Sequence, residues 1–413
     1  MYDRRTSVRL TNTIFVTESF GSAARIAIFT LLSILAVQLS GRESAAGLPT
    51  TVGTVFQALM ALPFGMLMGN YGRRVGLTLS YGMAWIGAIL GLIAVIQGWF
   101  PLLLASAALI GMGRAGSDQG RFAAGDMFQK HERGRMTGRV VFAGTMGAIL
   151  GPLLVNLGTI FAKTLNLDVD TGPYLIAVVL YGIASTIIFF LLRPDPMFIA
   201  REIATDEENA NGNNEPANAR SVMELLRLPR VQLAVLSMLI SQMVMVTLMV
   251  ITPLHMNNHH HDHGAVSLVI AAHTLGMFGL SGVTGNLIDR YGRVPMMVAG
   301  ALTLLLASLV SPLSTSLPVL MLGLFLLGLG WNFGYIAGSS LLGDVLEGNE
   351  RSRMQGANDM LVACAAAVGS ISSGPIFSTG GYPAVTAMGF VIALLFAWLI
   401  WLLSPSEIRI RQA

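Results

Sequence analysis

GDMFQKHERGRMTG at residues 125–138 returns without gaps as GDVLEGNERSRMQG at 343–356. Gly125, Asp126, Glu132, Arg133, Arg135, Met136 and Gly138 coincide with Gly343, Asp344, Glu350, Arg351, Arg353, Met354 and Gly356, an offset of 218 residues. A second pair, GMLMGNYGRR at 65–74 and GNLIDRYGRV at 285–294, stands at an offset of 220. Two matches at nearly one spacing read as one unit repeated in the same direction. Outward from these basic loops the sequence turns apolar on both sides.

That apolar character sets the class. The 413 residues are 54% hydrophobic and only 11% charged, whereas a soluble domain carries about a quarter charged residues. Mean hydropathy is +0.67. The apolar runs are near the ~20 residues that cross a bilayer as a helix, and too long for barrel strands. The spacing predicts an all-α membrane protein of twelve transmembrane helices in two six-helix bundles. The spans fall at 13–38, 49–69, 76–97, 102–127, 137–161, 172–192, 231–253, 266–288, 295–313, 317–344, 354–377 and 383–404. The basic start, MYDRRTSVRL, resembles a signal sequence, but Glu18 and Arg25 interrupt the run behind it. An uncleaved first span is expected.

The bundles are expected at 1–192 and 231–413. The polar stretch 193–230 between them, with TDEENANGNNEPANAR at its centre, is too poor in large apolar groups to bury a core and is expected to be a flexible linker. Of the 25 Lys and Arg, all but Arg25, Arg42, Arg114 and Lys163 fall on the side that carries both termini and this linker. The positive-inside rule makes that side cytoplasmic. The expected place is the inner membrane of a bacterium, with the lipid bilayer as surroundings and a monomer as the unit. Basic residues are scattered over short loops with no continuous patch, so no nucleic-acid partner is expected. Cys364 is the single cysteine, which excludes an internal disulfide.

Charges inside spans mark function. Glu18 and Arg25 stand seven apart and share a helix face, and Arg114 and Asp118 are an i, i+4 pair. These four are expected to form a gating or proton-linked network. Asp126 and Asp344, at equivalent repeat positions, are expected to pair with loop arginines. No phosphate loop of the G-x4-G-K-[ST] form occurs, so movement has to draw on a gradient. No nucleophile–base set marks an enzyme, and no cofactor is implied.

The last cluster is chemically the most specific. Every histidine but His131 lies at 255–273: His255, His259, His260, His261, His263 and His273. Met243, Met245, Met249, Met256 and Met277 are interleaved with them. Thioethers mixed with imidazoles suit a soft ion such as Cu(I). His255, Met256, His259, His260, His261 and His263 form a candidate metal-collecting loop on the outer side. Below it, Met245 and Met249 on one span and His273 and Met277 on the next each lie one turn apart. Neutral thioether and imidazole donors leave the ion's charge uncompensated, which suits a path rather than a store.

GNLIDRYGR at 285–293 resembles the loop signature of the major facilitator superfamily, G-x-L-x-D-R-x-G-R. Gly285, Asp289, Arg290, Gly292 and Arg293 carry it. Gly65, Gly72 and Arg73 keep it in the first half, while Gly69 and Asn70 replace the usual Asp and Arg. Gly138, Gly147, Gly151 and Pro152 are similar to that superfamily's fifth-helix pattern. The resemblance covers the chain and implies the twelve-helix major facilitator fold and secondary transport. Met245-x3-Met249 with His273-x3-Met277 resembles the paired motifs of CcoA-like bacterial copper importers, which implies copper as the transported substrate, moving inward. Two alternatives remain: a proton-coupled antiporter exporting drugs or small metabolites, and a metal sensor that transports nothing.

Overall fold

The computed structural model describes residues 4–211, 220–346 and 348–404. Among them there is no strand. In lipid every backbone N–H and C=O must be paired within its own segment, and these apolar runs accordingly close their hydrogen bonds as helices. In chain order the helices are α1 (Arg4–Ser40), α2 (Leu48–Tyr71), α3 (Arg73–Gln97), α4 (Phe100–Ser117), α5 (Gly120–Asp126), α6 (Lys130–Thr164), α7 (Gly172–Leu191) and α8 (Pro196–Asn211). They continue as α9 (Val222–Leu225), α10 (Pro229–Asn258), α11 (His263–Thr274), α12 (Ser281–Tyr291), α13 (Arg293–Val310), α14 (Leu317–Val345) and α15 (Gly348–Leu403). Among the described residues, eleven stretches are long and apolar enough to span a membrane. The last of them bends at Gly381, whose φ of 65° and ψ of −166° break the helix just before Pro383. It therefore makes two crossings, which completes the expected twelve.

The chain divides into two compact units, Met1–Gly41 with Val52–Glu215, and Arg42–Thr51 with Pro216–Ala413. In the first, α1 packs on α6 and α7, and α3 on α4 and α7. The glycines singled out in the fifth span explain one of these contacts. A Cβ on Gly147 would lie 2.1 Å from the Ser19 carbonyl oxygen and one on Gly151 would lie 2.7 Å from that of Ala23, so only hydrogen at these positions lets α6 meet α1. In the second unit α10 packs on α14 and α15, α13 on α14, and α11 on α14.

Three expectations about single segments change. The span at 102–127 is two helices, because the run GSDQG at 116–120 is a poor helix former and turns at Asp118–Gln119. The span at 266–288 is broken by a π-helical turn over Leu275–Gly279. The linker is not uniformly flexible: α8 and α9 occupy part of it, and 212–219 lie outside the described residues. The Asp195 carboxylate starts α8 by accepting from the Met197 N–H at 2.9 Å. A capping box in which Ser221 and Glu224 bond each other's backbone N–H starts α9.

Candidate functional site

The four charges read from the spans form two ion pairs inside the first unit, Glu18 with Arg25 and Arg114 with Asp118. Glu18 of α1 is only 8% exposed. Its Oε1 lies 3.6 Å from Arg25 Nη2, one face down the same helix. From α3, the Tyr81 hydroxyl donates to Glu18 Oε2 at 3.2 Å. From α4, Arg114 Nε lies 3.7 Å from Asp118 Oδ2, which also accepts from Gln57 Nε2 of α2 at 2.9 Å. Tyr181 of α7 comes within hydrogen-bonding reach of Arg25. Two helices of the bundle, α3 and α7, thus bring tyrosine hydroxyls to the pair that α1 carries. Protonating Glu18 would remove its attraction for Arg25, so the cluster has the parts needed to couple a proton to a rearrangement.

Ion pairs hold the repeat loops at equivalent places in both halves. Arg73 Nη2 meets Asp126 Oδ2 at 2.9 Å, and Arg293 Nε meets Asp344 Oδ2 at 2.7 Å. Each arginine opens a helix after a glycine in left-handed backbone, Gly72 at φ 102° and Gly292 at φ 95°, a region favouring glycine. Where the first half lacks the signature aspartate, Asp195 supplies a carboxylate from downstream. Its oxygens accept from the backbone N–H of Arg73 and Arg74, both at 3.0 Å. In the second half Asp289 lies 4.0 Å from Arg293, and Arg290 sits over the Tyr291 ring. Gly65 and Gly285 face open space, with no neighbour that requires glycine.

The second unit has a polar and aromatic cluster of its own. Asn332 of α14, fully buried, donates to the Met277 carbonyl inside the π turn and to Ser281 Oγ at 2.9 Å, and accepts from Thr284. A π turn leaves a carbonyl short of its usual helical partner. The Asn332 amide adds a side-chain donor at this turn. Beside it, Trp331 stacks on Tyr335 with ring centroids 4.7 Å apart and meets Phe278 edge-on at 5.8 Å. The Trp331 indole N–H donates to Gln242 Oε1 of α10 at 2.8 Å. A cleft of about 440 Å³ opens next to Tyr335, lined by Ser339, Ser340 and the Arg293–Asp344 pair.

Comparison with known proteins agrees with this architecture. The model of the Major Facilitator Superfamily matches residues 14–258 and 233–412. The chain belongs to the Major Facilitator Superfamily. It is 36% identical over 385 residues to the "Uncharacterized MFS-type transporter YdeG" of Bacillus subtilis, covering 92% of this chain and 89% of that one. It is 27% identical over 407 residues to the riboflavin transporter RfnT of Brucella anthropi, covering 97% and 96%. The structure of a bacterial homolog of the human lysosomal transporter Spinster matches with a TM-score of 0.73 at 14% identity, over 99% of both chains, a likeness of fold.

As a Major Facilitator Superfamily member, the chain is a multi-pass membrane protein and a secondary transporter, not an enzyme. The expected metal residues distribute unevenly. Met245, Met249 and His273 are buried and Met277 is half-buried. However, α10 and α11 make little direct contact: α10 packs chiefly on α15 and next on α14, and α11 on α14. His273 Nδ1 donates to the Leu324 carbonyl at 2.9 Å, and its Nε2 is buried with no hydrogen-bond partner among the described residues.

Three of the loop histidines are already engaged by protein groups. His255 stacks on Tyr382 at 4.1 Å, His259 Nδ1 bonds the His255 carbonyl at 2.8 Å, and His261 Nε2 bonds the Thr315 carbonyl at 2.7 Å. Met256 is fully buried and does not face the loop surface, which corrects its assignment there: it is a core residue near the helix end. His260 is exposed and His263 opens α11. No group of three or more His, Cys, Asp or Glu side chains is arranged to hold a metal among the described residues. Sequence reading missed Gln57, Tyr81, Tyr181, Gln242, Trp331 and Asn332. Gln57, Gln242 and Asn332, polar residues inside apolar spans, carried a sequence signal that could have flagged them.

Proposed function

We propose that this superfamily member moves a small organic solute across the bacterial inner membrane, both termini cytoplasmic, and draws the work from protons through Glu18. The observation that carries the reading is the buried Glu18 carboxylate held between Arg25 and the Tyr81 hydroxyl. Protonated, Glu18 releases Arg25; ionised, it holds it. That is the minimum device for linking a proton to a two-state bundle. The relative named as a riboflavin transporter supports an organic substrate. The test is transport by the reconstituted full chain under an imposed pH gradient, using riboflavin as probe. Flux that the gradient drives in wild type and not in Glu18→Gln supports the reading. Gradient-driven flux that survives in Glu18→Gln removes Glu18 from coupling.

A second reading, copper uptake along Met245, Met249, His273 and Met277, is favoured by one observation. Donation from His273 Nδ1 to Leu324 leaves Nε2 with a buried lone pair, the form in which imidazole binds metal. Against it stand the sparse contact of α10 with α11 and the loop histidines bonded to backbone.

A further inference from the structure

Aromatic side chains in a membrane helix bundle are ordinarily covered by neighbours or turned to lipid. In the Trp331–Tyr335 stack, Tyr335 fits neither description. Trp331 is buried, with its N–H taken by Gln242, whereas Tyr335 is half-buried and borders the cleft. One turn further along the same face of α14 lies Ser339, exposed, with Ser340 beside it. Lipid-facing positions of α14 look different; Leu322, 51% exposed, is one of them. A face that exposes hydroxyls and ends on the Arg293–Asp344 ion pair is wetted, because bare polar groups against hydrocarbon are costly. The cleft's volume of about 440 Å³ lies within the roughly 300–1,000 Å³ of small-molecule sites.

We propose that Tyr335, backed by Trp331 and Phe278, is the stacking platform of a substrate site for a planar heteroaromatic solute that carries a polar side group. This rests on the reading of the chain as a carrier of organic solutes. The ring face of Tyr335 supplies area and a negative quadrupole for an offset stack. The hydroxyls of Ser339 and Ser340, which line the same cleft, can take polar substituents at the ring edge. Phe278 belongs to the π turn, so the segment bounding the platform is also the one where the helix is broken.

The experiment uses the full chain in lipid nanodiscs with riboflavin as the fluorescent probe, since stacking on an aromatic ring quenches flavin emission. Adenosine and tryptophan are planar competitors, and proline is the aliphatic control. Saturable quenching is expected, reversed by the planar competitors and not by proline. Tyr335→Ala should weaken binding about tenfold. Tyr335→Phe should restore it, and Trp401→Leu, on the exposed face of α15, should leave it unchanged. If Tyr335→Ala fails to fold, Phe278→Leu is expected to weaken binding several-fold. Unchanged affinity in Tyr335→Ala or, where that protein does not fold, in Phe278→Leu, competition by proline equal to that by tryptophan, or no binding of any planar probe would each overturn the assignment. Gradient-driven flux of proline in the same protein, dependent on Glu18, would then leave the transport reading standing. Absence of all flux would remove that reading separately.

Discussion

The Asn332 side-chain amide of α14 donates to the main-chain carbonyl of Met277, at the turn where the helix carrying His273 changes from α to π. One side chain thereby adds a donor at the break, and its contacts with Ser281 and Thr284 tie α14 to the place where the helix resumes. Replacing Asn332 by Leu would keep the volume and strand those partners in an apolar core. The cost of leaving buried polar groups unpaired is about 1–3 kcal/mol. Thermal unfolding of purified Asn332→Leu should show a midpoint several degrees below wild type; an unchanged midpoint would show that the amide does not hold the turn.

Glu18 and Arg25 should be strongly coupled. Both side chains are largely buried, at 10% and 18% relative exposure. Removing one leaves the other as an uncompensated charge, at a cost of about 3–5 kcal/mol when fully buried and less here. Glu18→Gln and Arg25→Gln should each destabilise the protein by more than the double variant does relative to either single. A double-mutant cycle by chemical denaturation in detergent checks this, with a coupling of roughly 1–3 kcal/mol expected. Additive single effects would mean that Arg25 is held by other groups, of which Tyr181 is the nearest named.

Much of this was legible before any coordinates. The repeat fixed two homologous halves, and the equivalent positions of Asp126 and Asp344 predicted the pairs that form with Arg73 and Arg293. Gly147 and Gly151 stood out through the fifth-helix pattern, and α6 meets α1 there. The limits are physical. In a span that is apolar on all sides the pattern does not say which way a face points, so residues on one helix could be grouped while their partners on others could not. Glu18 was legible and Tyr81 was not. The π turn depends on Asn332, tens of residues away, and no local propensity announces it. The linker misled because its centre is polar, whereas its ends are organised by single capping residues, Asp195 and Ser221.

Asp195 gives the third prediction. Its carboxylate accepts three backbone N–H bonds, from Arg73, Arg74 and Met197, and so caps α3 and α8 together. A charged cap at a helix N-terminus contributes about 1 kcal/mol, and here two helices share it. Asp195→Ala should lower stability by roughly 1–2 kcal/mol and make the 193–211 segment faster to cleave in limited proteolysis. Asp195→Asn, which retains one acceptor oxygen, should fall between the two. Equal cleavage rates for all three proteins would show that α8 is held by its apolar contacts alone, such as buried Ile199.

His273 separates a ligand from a structural residue because the two roles predict opposite results from one substitution. A buried imidazole nitrogen without a partner is a liability to folding, and filling its place with an apolar ring is neutral or stabilising. The Leu324 carbonyl that accepts from Nδ1 lies within α14, where a helical N–H partner remains available to it. His273→Phe should therefore keep or raise the unfolding midpoint whatever the transported solute. On the copper reading, the same variant should reduce uptake of radioactive copper into cells at least tenfold, with Met277→Leu giving a smaller reduction of the same sign. Wild-type uptake by His273→Phe, at equal protein level, would remove imidazole from the path. The buried lone pair would then be a packing compromise beside the broken helix.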